Sequence, residues 1–313
     1  MPARPPRRVA WREGRGDPAP ARTSGRPTPA GGPASLRGVR LLLAILLVLG
    51  TASAAHARVP LDGPPPPLPQ PDAALPTRAP ALGGALTTTT RRLRAAVEAW
   101  DGTQAAPKDV TYLALHHQRI LRAMAEKRAL GDATIARLPA DVRNEARDTV
   151  AARRHIDAIP RGKPPRVRTA EPAPAATLRA AYDAAQRRFG IHWSVLAAIN
   201  FVESAFGRVR SASEAGARGP MQFMPATWRA YGMGGDIEDD GDAILAAANY
   251  LNRSGAAQDL DRALYAYNHS TSYVRAIRRF AARMRADERT FKTYYAWQVF
   301  VRTASGMRRI TGP

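Results

Sequence analysis

From about residue 86 onward, apolar positions recur at helical spacing. In "TTTTRRLRAAVEAW" (87–100), Leu93, Val97 and Trp100 share one face behind a Thr cap. In "DVTYLALHHQRILRAMAEKRAL" (109–130), Val110, Leu113, Ile120, Leu121 and Met124 repeat the pattern, and Gly131 reads as the stop. "LPADVRNEARDTVAARRHIDAI" predicts a third helix with Pro139 near its start. Together they predict a small helical module over residues 86–159. Residues 160–175, "PRGKPPRVRTAEPAPA", read as a linker. Residues 176–313 then form a second helical stretch. "TLRAAYDAAQRRFG" is a helix ended by Gly190, and "HWSVLAAINFVESAFG" is another with Ser194 as cap and Gly207 as stop. A loop, "RVRSASEAGARGP", leads to further helical segments, the last being the aromatic "ERTFKTYYAWQVFVRTASG". That last segment is expected to pack on the core, with a sugar-binding role for Trp297 as a secondary reading. No alternating strand pattern of useful length occurs, so the expected fold class is all-α.

The pattern changes upstream. Residues 58–85 are Pro-rich and read as an extended tether. Residues 41–50, "LLLAILLVLG", follow Arg37 and Arg40 and precede the small residues Ala55 and Ala57. Basic region, short apolar core and A-x-A-like site together predict a secretory signal cleaved after Ala57, with residues 1–57 as extension and signal. The run is shorter than the roughly 20 apolar residues a membrane span needs, so membrane attachment is expected only if the signal stays uncleaved. The product is expected to be exported, to cell wall or periplasm. With no Cys among 313 residues, the exported fold must hold by packing without disulfides.

Charge adds one partner and removes another. The net charge of +21 divides as +7 over residues 1–57, +7 over 58–175 and +7 over 176–313. Arg supplies 43 of the 47 basic residues, which codon bias in a GC-rich genome and attraction to a polyanion explain equally well. The even spread and the export signal argue against nucleic acid. For an exported protein, anionic cell-wall polymers are the polyanion that remains. His116 and His117 lie about 100° apart on a helix and cannot share a metal as an i, i+4 pair does; they read as surface or half-buried. No spacing of His, Asp or Glu predicts a metal site, and no Gly-rich loop follows a strand, so no cofactor is expected.

Glu203 breaks the most apolar helix of the chain. Leu196, Ile199, Glu203 and Phe206 fall on one face, so a carboxylate interrupts the stripe in the last turn before Gly207. Burial and the carboxyl end of a helix both disfavour its charged form. A carboxyl group kept protonated is what general acid catalysis at a glycosidic oxygen requires. A structural Glu, capping backbone or paired with Arg, fits the stripe equally.

Four blocks shift that balance: "ESAFG" (203–207), "SEAGARGPMQFMPATW" (213–228), "DDGDAILAAANYL" (239–251) and "ALYAYNHSTSYV" (263–274). In these the chain resembles the lytic transglycosylases, whose catalytic domain has the goose-type-lysozyme-like fold. "GPMQFMPATW" is most similar to the branch related to membrane-bound lytic transglycosylase B. The resemblance covers roughly residues 176–300 and implies a peptidoglycan-cleaving domain over residues 176–313. It implies Glu203 as single acid/base, cutting the MurNAc–GlcNAc bond of glycan strands and closing a 1,6-anhydro ring without water or a second carboxylate. The substrate-binding candidates are Ser213, Gln222, Tyr267 and Asn268. Ser213 would orient a sugar or Glu203, and the Gln222 amide suits an acetamido or hydroxyl group. Tyr267 would bond Glu203 or stack on a sugar, and Asn268 would hold sugar or loop. Gly216 and Gly219 are expected to let backbone approach a ligand. Asp239 to Asp242 read as helix caps. A hydrolytic muramidase recruiting Asp236 or Glu214, and a non-catalytic wall-binding protein, are the alternatives. Exo- against endo-cleavage and the role of residues 86–159 are not readable from the sequence.

Overall fold

The computed structural model describes residues 66–160, 167–303 and 306–313, and all of them belong to one compact unit. The apolar run 41–50 and the proposed cleavage site lie outside the described residues. Among the described residues eleven helices run in order. They are α1 Ala79–Ala99, α2 Lys108–Glu126, α3 Arg128–Arg137, α4 Ala140–Asp157, α5 Ala175–Phe189 and α6 Trp193–Ser204. Then come α7 Pro225–Tyr231, α8 Asp240–Arg253, α9 Leu260–Tyr267, α10 Thr271–Ala286 and α11 Arg289–Tyr295. No helix of these residues is long and apolar enough to cross a membrane. The fold is all-α apart from one hairpin, β1 Phe300–Thr303 and β2 Gly306–Arg309, paired antiparallel with Phe300 opposite Arg309.

Helix α6 is the axis. Val195, Leu196, Ala197, Ala198 and Ile199 are all at most 6% exposed. A helix apolar all round belongs inside, and α5, α8, α10 and α11 pack about it. His192 caps it, its Nδ1 accepting from the Ser194 amide at 3.3 Å. The cap therefore sits two residues before the expected Ser194, which is buried in the first turn. Helix α10 also lies along α4, so α1–α4 and α5–α11 share one continuous apolar core.

Several expectations shift for identifiable reasons. Helix α1 starts at Ala79, inside the stretch read as a tether, with Pro80 in its first turn and Leu82 and Leu86 fully buried. Burying two Leu side chains is worth roughly 3–6 kcal/mol. That exceeds the helix cost of Gly83 and Gly84, about 2 kcal/mol. The residues before it lie along the body: Arg92 donates to the Pro66 carbonyl at 2.7 Å, and Arg119 to that of Pro71 at 2.9 Å. Gly131 is no stop. It lies within α3, where a Cβ would come 2.1 Å from the Met124 carbonyl oxygen, so its bareness lets α3 fold back on the end of α2. His117 is 1% exposed rather than superficial. The aromatic tail is helical only to Tyr295; Trp297 is buried against Phe201 and Tyr294, which removes it as a sugar platform.

Candidate active site

Helix α6 delivers Glu203 one residue before its end, half-buried and facing the surface rather than sealed in the core. The next three residues are all left-handed: Ala205 at φ +53°, Phe206 at +62° and Gly207 at +81°. Two of them are not glycine, at a cost of roughly 1–2 kcal/mol each. Phe206 recovers this by full burial, stacked on Phe201 at 5.4 Å. Ser204 fastens the turn. Its hydroxyl donates to the Pro220 carbonyl at 2.6 Å and accepts from the Gly207 amide at 2.8 Å. Asn200 donates to the same carbonyl at 2.9 Å and accepts from the Tyr182 hydroxyl at 2.5 Å. These two buried side chains bring the "GPMQF" loop to the end of the Glu203 helix.

That loop is a closed turn. Arg218 and Phe223 exchange two backbone hydrogen bonds of 2.9 Å, and Gln222 sits between them at φ +50°. Gln222 is half-buried, its amide nitrogen donating to the Gly219 carbonyl at 3.0 Å. Gly219 is needed for a different reason than ligand approach. At φ +72°, a Cβ there would lie 1.8 Å from the Ile237 carbonyl oxygen of the same chain. Ser213 braces its own loop, its hydroxyl accepting from the Ala217 amide at 3.0 Å.

The other wall comes from α9 and α10. The chain breaks between them at Asn268, and Ser270 restarts the helix by accepting from the Tyr273 amide at 3.2 Å. The break sets two parallel phenol rings side by side, Tyr267 and Tyr273, 6.5 Å apart and 5° from coplanar orientation. The Tyr267 hydroxyl donates to the Met221 carbonyl at 2.7 Å, so its one proton goes to the "GPMQF" loop and not to Glu203. It is Tyr273 that donates to Glu203, its hydroxyl 2.7 Å from Oε1. Burial first, and the Glu203 charge second, push both phenols well above their ordinary range. Both therefore remain hydrogen-bond donors at any working pH. Asn268 is half-buried at the C-cap of α9, and among the described residues no hydrogen bond engages its side chain.

The remaining acids, Glu214 apart, have structural partners. Asp239 caps α8 by accepting from the Asp242 amide at 2.9 Å, and Asp242 accepts from the Asp236 amide at 2.9 Å. Asp236 is exposed and accepts from the Glu238 amide at 2.9 Å; Glu214 is exposed on the loop. Asp240 differs from its neighbours. It is half-buried 3.7 Å from Arg210, and burial pushes its carboxyl upward against that pull.

Sequence reading brought Glu203, Gln222 and Tyr267 to one place and missed Tyr273, Ser204 and Asn200. Tyr273 stands inside "ALYAYNHSTSYV", and the signal available was Ser270, a cap that places Tyr273 in the first turn of a new helix. The chain's residues 180–289 match the family described as Transglycosylase SLT domain, a span holding α6 to α10 and every side chain of the site named above. No curated protein and no solved structure matches the chain. Over that span the chain is a transglycosylase SLT domain, the lysozyme-like catalytic domain of lytic transglycosylases that act on peptidoglycan.

Proposed function

We propose that the domain cuts the β-1,4 bond between MurNAc and GlcNAc and leaves 1,6-anhydro-MurNAc ends, with Glu203 as the one acid and base. The observation carrying this reading is the hydroxyl of Tyr273 at 2.7 Å from Glu203 Oε1, at a half-buried carboxyl that opens to the surface. In the first step Glu203 gives its proton to the glycosidic oxygen as the bond from that oxygen to C1 breaks. Tyr273 stabilises the charge then left on Glu203. In the second step the sugar's own C6 hydroxyl attacks C1 and returns a proton to Glu203, so no water is consumed and the carboxyl is restored. Gln222 and Asn268 would bind acetamido or hydroxyl groups, while Ser213 and Tyr267 act by holding the loops around them, a role their hydrogen bonds to Ala217 and Met221 support. The substrate's acetamido group assists at C1, as in substrate-assisted glycosidases.

The export reading rests on the basic-apolar-small order of residues 37–57 and fits a substrate that lies outside the cytoplasm. The "GPMQFMPATW" wording supports the branch related to membrane-bound lytic transglycosylase B. The surplus of +7 over residues 58–175 and +7 over 176–313 supports attraction to anionic wall polymers.

The test is digestion of purified peptidoglycan with the purified protein, followed by mass spectrometry, beside Glu203→Gln. Anhydro ends lost in the variant are expected. Reducing ends would replace this reading with a hydrolytic muramidase. Wall binding without products would leave a binding protein.

A further inference from the structure

We propose that Asp148 and Thr149, neighbours on α4, are positioning residues that hold α10 and α6 so that Tyr273 meets Glu203. The inference rests on the reading of Glu203 just given. Tyr273 and Glu203 come from different helices. Their 2.7 Å contact therefore depends on how those helices are set against each other.

Helix α10 rests on α4 directly, and α6 is tied to α4 through Tyr294 of α11. On the α10 side, Asp148 accepts a hydrogen bond from Arg279 at 2.9 Å and lies 3.1 Å from Arg283 Nε, one turn further on. Arg147 of α4 approaches the same carboxylate at 3.9 Å. The Asp148 side chain is only 16% exposed, so these pairs are screened less than surface ones. Without its charge, two guanidiniums of α10 would face α4 with nothing to hold them. On the α6 side, the hydroxyls of Thr149 and Tyr294 lie 2.7 Å apart, buried. The Tyr294 ring lies flat on Phe201 at 5.3 Å and 7°, two residues before Glu203. Phe280 of α10 meets both rings edge-on, Phe201 at 5.0 Å and Tyr294 at 5.4 Å. Two adjacent residues of α4 thus anchor one aromatic joint from which both members of the acid pair project. This gives residues 86–159 a part in the proposed reaction although none of the site side chains named above comes from them.

The test measures kcat and KM on purified peptidoglycan for the full chain carrying Asp148→Asn, Asp148→Glu or Thr149→Val, each alone and with Tyr273→Phe. Thermal unfolding is followed alongside. Asp148→Asn is expected to lower kcat about tenfold or more with KM within about twofold, since small misplacements of reacting groups are costly. Asp148→Glu should recover part of the loss. With Tyr273→Phe already present, Asp148→Asn should cost less than about twofold further, the coupling a shared pathway produces. An unchanged kcat, a loss confined to KM, or losses that multiply fully in the double variant would each overturn the proposal. If Asp148→Asn does not fold, Thr149→Val carries the same comparison. If Glu203→Gln leaves turnover intact, the proposed function falls instead. The positioning claim is then read from the 13C resonance of the Glu203 carboxyl: its titration midpoint moves in Asp148→Asn if α4 holds the pair, and stays put if not.

Discussion

Tyr273 donates to Glu203, whose charge changes in the reaction proposed above, so its removal is expected to bear on turnover before stability. A hydrogen bond to a charged group is worth about 1.5–3 kcal/mol. Tyr273→Phe should therefore lower kcat by roughly 10- to 100-fold, with KM nearly unchanged, in steady-state assays on purified peptidoglycan. Gly219→Ala should act on stability first. It combines φ +72° with a Cβ 1.8 Å from the Ile237 carbonyl oxygen, so something must shift. A loss above about 3 kcal/mol is expected, measured by urea unfolding. Glu203 was legible in sequence because a carboxylate on an apolar stripe is conspicuous. Tyr273 was not, because a tyrosine among Val274, Ile277 and Phe280 looks like core. Which of two nearby tyrosines reaches the acid depends on the break at Asn268, and spacing alone does not show that break's geometry. The Tyr267 proton going to Met221 is likewise a matter of loop placement, set by Ser204 and Asn200 through Pro220.

At the scale of the element, the junction of α9 and α10 carries the most weight. Ser270 caps α10 through the amide of Tyr273 itself. Ser270→Ala should cost about 1 kcal/mol of stability. It should also lower kcat, because the turn it loosens bears the Tyr273 ring; chemical unfolding and turnover on the same preparation check both. Helix interiors with regular apolar spacing, such as α4 and α5, were readable to within a few residues. The short elements were not. The strands of the hairpin have four residues each, too few for alternation to register, and they form because the chain after Trp297 is held flat by its surroundings. Gln118 supplies part of that hold. Its amide donates to the Gln298 carbonyl at 2.8 Å and accepts from the Gln298 amide at 2.9 Å, as a neighbouring strand would. Nothing local to residues 296–303 announces a partner 180 residues away.

For the whole molecule, the buried polar group between α1, α2 and α4 sets an acid limit. Burial lowers His117 to about 4 from its ordinary 6.5; Glu145, 3.5 Å away, opposes this, while Arg94 and His116 add to it. The unfolded chain thus binds a proton between pH 6.5 and 4 that the folded chain refuses. Stability is full above about pH 6.5 and falls as pH drops toward 4, by roughly 3 kcal/mol in all. Unfolding free energies measured across that window should show this slope, and His117→Gln should flatten it. The link from Gln118 to Gln298 also bears on how the protein comes into being. Trp297 packs on His117 of α2, Tyr294 pairs with Thr149 of α4, and the Lys292 ammonium donates to the Val97 and Trp100 carbonyls at the end of α1. The contacts of the early helices are therefore complete only once residues 292–298 have been added. Before then Glu203 has long been made, yet the helix that carries it still lacks Tyr294 beneath Phe201. Any shortened chain that stops before residue 294 would carry Glu203 on a helix without the ring that packs under it.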